Sequence, residues 1–197
     1  MDLKEKLISS FLAFENQMDV EDYVHDIRSK AIKTFEDEGF PTKKDEAWKY
    51  TSLNKILKQD YSVFPDDENA IEYRDVKKFF IHSIDSFKIV FIDGKYSSHL
   101  SQTTHDGMDI CLLSAALAQP KYRLVIENYF NKIAASDGIT CLNTAFSSEG
   151  AYIHIPKNKL VEKPIQIIHF STGNESALML QPINLVVVDE NSHVQII

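Results

Sequence analysis

Ala151-Tyr152-Ile153-His154-Ile155-Pro156 is followed by Pro164-Ile165-Gln166-Ile167-Ile168-His169-Phe170. Three more apolar stretches come after them, at 178–180, 183–188 and 194–197. All are short and β-rich, separated by Pro, Gly, Asn and Asp, with no helical period between them. Closely spaced short strands fit a sandwich, a barrel or a solenoid of strands, and periodicity does not choose among the three. There is no strict internal repeat. The last stretch, Asn191-Ser192-His193-Val194-Gln195-Ile196-Ile197, stops inside a strand pattern. A strand array that stops there is expected to leave an uncapped apolar edge, which predicts a fragment of a longer protein and self-association through that C-terminal edge.

Upstream of residue 151 the chain reads differently. Residues 1–80 hold 18 acids and 13 bases, and the remainder holds 11 and 8. Leu3, Leu7, Phe11 and Phe14 recur at helical spacing, which predicts an amphipathic helix over 3–14. Asp19 is a good N-cap, and Val24, Ile27, Ala31 and Phe35 then repeat with a helical period, which predicts a helix over 20–38. Gly39 stops it and Pro41 prevents its resumption. Residues 41–58 read as a charged turn and a short helix, and 59–78 as a surface linker. A strand over 87–92 ends at the turn signal Asp93-Gly94 and makes a hairpin with 96–100. A further strand is expected at 110–113, a helix at 122–133, and a helical piece ending at Phe146 and closed by Gly150.

The chain has 197 residues, room for one or two domains. Its formal charge of −8 argues against nucleic acid or an anionic membrane as partner. No apolar run approaches the ~18 residues of a membrane span. The mixed-charge start Met1-Asp2-Leu3-Lys4-Glu5-Lys6 lacks the apolar stretch of a secretory signal, so a cytoplasmic location is expected.

Candidate chemistry is sparse. Cys111 and Cys141 are the only cysteines and sit in apolar surroundings, which predicts buried, inert thiols. His25 is expected in a surface ion pair with Glu21 or Asp22, and His82 as an ordinary strand or loop residue. His99 and His105 flank a polar turn with Asp106 and Asp109. His154, His169 and His193 fall on successive strand candidates. Stacking could align them into a metal-binding ladder, but polar sheet-face positions explain them as well. Trp48 and Tyr50 concentrate aromatic surface in a charged segment, either to pin it to the domain or to anchor a partner. No phosphate-binding glycine loop and no nucleophile-elbow motif is present.

Three stretches together resemble the SufB/SufD family of iron–sulfur cluster assembly scaffolds, SufD most of all. They are Gly39-Phe40-Pro41-Thr42-Lys43-Lys44-Asp45-Glu46-Ala47-Trp48-Lys49-Tyr50-Thr51; Leu142–Phe146 with Gly150–Asn158 and Glu162–Ile165; and Val186–Val194. The match corresponds to the N-terminal half of such a protein. The resemblance implies an α+β chain: a mainly helical N-terminal domain, 1–147, followed at 148–197 by the first rungs of a right-handed parallel β-helix. It implies a non-catalytic scaffold subunit of the SufBCD complex, pairing with SufB and with the SufC ATPase. The family's cluster-related residues lie beyond Ile197, so no catalytic, cofactor or metal role passes to any residue here. The Fe–S cluster and ATP are handled by the wider complex. A β-helix carbohydrate-active enzyme is the alternative, disfavoured because residues 151–197 contain no arginine.

Overall fold

A computed structural model describes residues 2–17, 23–63, 71–103, 107–130, 132, 137–147, 149–173 and 177–197. In chain order the elements are α1 (Leu3–Gln17), α2 (Tyr23–Glu38), β1 (Tyr61–Ser62), α3 (Tyr73–Val76), β2 (Phe87–Ile92), β3 (Lys95–Tyr96) and β4 (Asp109–Leu112). Then come α4 (Leu113–Leu117), α5 (Pro120–Tyr129), α6 (Gly138–Ala145), β5 (Ala151–Ile155), β6 (Ile165–Phe170), β7 (Ala177–Leu178) and β8 (Leu185–Val188). The expected N-cap Asp19, together with His105, Asp106 and Ile133, lies outside the described residues. The chain divides into two compact units, each assembled from three separate segments.

The first unit comprises 1–65, 130–148 and 173–183. Its core is the apolar stripe of α1 and α2 closed by α6. Leu7, Phe11, Phe14, Phe35, Leu142 and Phe146 are all buried. Phe146 meets Phe11 edge-on at 5.9 Å and Phe14 at 5.1 Å, geometries that add to the burial of apolar area. Asp137 caps α6, its carboxylate accepting from Thr140 N at 2.8 Å. α2 ends at Gly39, which takes φ +72° and donates back to the Phe35 carbonyl at 2.8 Å. A Cβ at Gly138 would collide with the Gly39 carbonyl oxygen, so this glycine permits α6 to begin against the end of α2. Residues 61–62, expected as linker, pair in parallel with β7 instead.

The second unit comprises 66–129, 149–172 and 184–197. β2 pairs in parallel with β6 and antiparallel with β3 through the Asp93-Gly94 turn, both turn residues at positive φ. β2 is buried on both faces. Ile89 and Phe91 pack into one core with Ile153, Ile155 and Ile165, while Val90 and Ile92 join Phe80 and Leu100 in another. A second sheet has the order β4-β5-β8, antiparallel then parallel. The helix expected over 122–133 starts earlier, with Pro120 in its first turn, where no backbone donor is lost. Residues 194–197 contribute one isolated bridge, Ile196 with Ile165, rather than a full strand.

Within this unit one stretch of chain lies on an earlier one at a constant offset. β5 and β8 pair Tyr152 with Leu185 through Ile155 with Val188, and Leu160 then bridges His193. The offset is 33 residues throughout, and the side chains repeat it. Lys157 Nζ donates to Glu190, Ser192 Oγ accepts from Lys159 N, and Asn191 Nδ2 donates to Asn158 Oδ1 at 3.3 Å. Asn158 and Asn191 both occupy the left-handed region, at φ +61° and +58°.

Candidate functional site

Strand alternation sends Asp109 and Cys111 of β4, Tyr152 and His154 of β5, and Val187 and Asp189 at the end of β8 to one face of the sheet. The opposite face carries Ile110, Leu112, Ile153 and Ile155 into the core. α5 packs over the polar face, its Tyr122 ring 4.9 Å from that of Tyr152. The result is a row of ionisable groups. His154 Nε2 lies 3.1 Å from Asp189 Oδ2, and its Nδ1 lies 3.9 Å from Asp109 Oδ2. Lys121 Nζ donates to Asp109 Oδ1 at 3.3 Å and sits 4.1 Å from the Tyr122 ring centroid.

The electrostatics follow from these neighbours. Burial by itself would raise the Asp109 carboxyl, but the Tyr122 hydroxyl and the Lys121 ammonium together hold it below the ordinary carboxylate range. Hydrogen bonding to Tyr122 raises Lys121. Burial, reinforced by the nearby Tyr122 and Asp109, pushes the Tyr152 phenol far up, so it remains protonated. Tyr152 is fully buried, and its hydroxyl has no hydrogen-bond partner among the described residues. Burial and the Asp109 charge raise the Cys111 thiol, and burial raises Cys141, which leaves both poor thiolate donors. The imidazole between two carboxylates therefore ties three strands together, and among the described residues no activated nucleophile stands beside it.

The other candidate residues are dispersed. In register, His154 faces Val187, His169 faces Phe91 and His193 faces Leu160, so the three imidazoles form no ladder. His169 keeps much of its edge in solvent, yet its face stacks on Phe91 at 4.8 Å, and that burial lowers its pKa. His25 pairs with Glu15 of α1; its expected partners Glu21 and Asp22 lie outside the described residues. Buried Arg28 lies beside the same Glu15 and donates to the Ser147 carbonyl at 2.8 Å. His82 meets the Lys77 carbonyl, and His99 lies between Ser97 and the Ile71 carbonyl. Among the described residues no group of three His, Cys, Asp or Glu is placed to hold a metal ion. No helix among them is long and apolar enough to cross a membrane. Trp48 is half-buried in a 3-10 turn, whereas Tyr50 is 92% exposed and pins nothing.

Sequence reasoning missed Asp109, Lys121, Tyr122, Tyr152 and Asp189 as one cluster. The signal available was alternation, which puts Tyr152 with His154 and Val187 with Asp189 on like faces, but alternation is silent on which strands are neighbours.

Comparison with known proteins places this geometry in context. Residues 1–167 match the family described as SufBD protein N-terminal region. An iron–sulfur cluster assembly SufBD family protein of Synechocystis is 27% identical over 157 residues, covering 79% of this chain and 34% of the relative. The iron–sulfur cluster assembly protein SufD of Bacillus subtilis is 24% identical over 182 residues, 87% of this chain and 40% of that protein. Escherichia coli SufD is 24% identical over 136 residues, 68% and 29% respectively. The chain thus spans between 29% and 40% of the length of these relatives. A family match running through α1, α2, α6, β5 and into β6 covers most of both units, and the chain belongs to the SufBD family by its N-terminal region.

Proposed function

We propose that this chain is the N-terminal part of a non-catalytic scaffold subunit that works in cytoplasmic iron–sulfur cluster assembly, pairing with SufB and the SufC ATPase. The family match over residues 1–167 carries the reading. The 33-residue stacking of 184–193 on 151–160 supports reading these strands as successive turns of a right-handed parallel β-helix. Such a solenoid presents a long rigid surface, which suits a subunit that holds partners in place. Burial raises the thiols of Cys111 and Cys141, which supports reading them as inert.

Co-expression of the full-length protein containing this chain with SufB and SufC from the same genome tests the proposal. One complex containing all three subunits is expected in size-exclusion chromatography, and elution of the protein alone overturns the pairing. In the same study the 197-residue chain, incubated with iron and sulfide, should show no lasting visible absorbance. Absorbance that disappears in Cys111→Ser or Cys141→Ser would overturn the assignment of inert thiols.

A further inference from the structure

The first unit contains an apolar pocket of about 230 Å³ walled by Leu3 and Leu7 of α1, by Phe40, and by Leu53, Ile56 and Leu57. Residues 53–59 hold their place through a helical turn, with Leu57 N donating to the Leu53 carbonyl at 2.9 Å and Gln59 N to that of Ile56 at 3.0 Å. That turn sets Ile56 at the wall of the pocket with half of its surface in solvent. An isoleucine held this way costs solvation unless something covers it.

The segment that supplies Leu53, Ile56 and Leu57 to the wall runs against the charge of the molecule. The chain as a whole carries −8, yet residues 41–58 hold five lysines against two carboxylates. Lys55 and Lys58 flank Ile56 and Leu57 and are exposed. Neither has a carboxylate partner among the described residues, whereas Lys6, also in this unit, is already engaged by Asp60 and the Tyr61 carbonyl. The same lysine-bearing segment displays Tyr50 almost bare, a residue type enriched where proteins meet.

We infer that this lysine-flanked pocket is a docking site for an acidic amphipathic helix of a partner protein. The partner presents Leu, Phe or Met at i, i+3 or i+4, and i+7, with Asp or Glu on the flanks. Volume favours a helix over a small molecule, because sites that enclose whole ligands run from roughly 300 to 1,000 Å³, whereas helix-in-groove recognition seats single anchor side chains. Charge supplies the selectivity: the exposed Lys55 and Lys58 beside the apolar wall attract an acidic helix and repel a basic one.

The test uses the 197-residue chain and a fluorescein-labelled helical probe of about 15 residues, Leu on one face and Glu on the other, read by fluorescence anisotropy. Saturable binding is expected, weakened about tenfold by Ile56→Glu and severalfold by Lys55→Glu with Lys58→Glu. Raised salt should weaken it further. Ile56→Ala is the milder companion variant, and circular dichroism of every variant separates lost binding from lost fold. No saturable binding overturns the inference. So does binding indifferent to both sites, equal binding of a probe with Lys in place of Glu, or a preference for oleate or phosphatidylglycerol vesicles that the same substitutions abolish.

Discussion

Asp109 shows how a single residue couples a strand to a helix. Its carboxylate is 38% exposed, accepts from Lys121, and lies beside His154, so its charged form is favoured in the fold. A folded pKa below the unfolded value of 3.8 contributes stability that is present above that value and lost as pH falls through the folded pKa. Asp109→Asn should therefore cost stability near neutrality, about 0.5–1 kcal/mol after allowing for solvent screening. Its deficit against the parent should shrink progressively as pH falls below 3.8. Urea melts of both proteins across that range check this; a deficit independent of pH would show that shape, not charge, matters at this position. Nothing in the sequence around Asp109 announced the role, because its partners come from α5, twelve residues on, and from β5, forty-five residues on.

Elements were readable where the period is local, and pairings were not. α2 follows from Val24, Ile27, Ala31 and Phe35 and ends where Gly39 predicts. β2 follows from Phe87–Ile92 and its Asp-Gly turn. That β2 lies beside β6, or β1 beside β7, depends on contacts between distant segments that no short window contains. The 33-residue offset escaped notice for a related reason. Ile155-Pro156-Lys157-Asn158 and Val188-Asp189-Glu190-Asn191 share backbone shape and apolar position, but few identities. The asparagines are the common mark, since a short polar side chain tolerates the left-handed conformation better than most. Asn158→Ala and Asn191→Ala should each destabilise by about 1 kcal/mol, whereas Asn→Gly at either position should be nearly neutral. Thermal melts distinguish these, and an alanine variant as stable as the glycine one would count against a conformational cause.

At the scale of the molecule, the sheet β4-β5-β8 ends on a strand with a neighbour on one side only among the described residues. Val186, Val188, Ile196 and Ile197 are between 37% and 45% exposed along this part of the chain. Such an edge pairs readily with another chain, so concentrated solutions should contain oligomers. Val188→Lys with Ile196→Lys should return them to monomer; Val194 is unsuitable because it packs against the core. Sedimentation at rising concentration decides, a monomeric parent being the contrary result. The segmental make-up of the two units bears on how the protein is born. The first unit needs 173–183, including β7 for its β1, and these residues leave the ribosome after most of the second unit has emerged. While α1 and α2 wait for α6, Phe11, Phe14 and Phe35 lack the helix that closes over them. Nascent chains of this protein should accordingly depend on chaperones that shield aromatic surface during translation, and pauses in synthesis before Gly138 should lengthen that exposure.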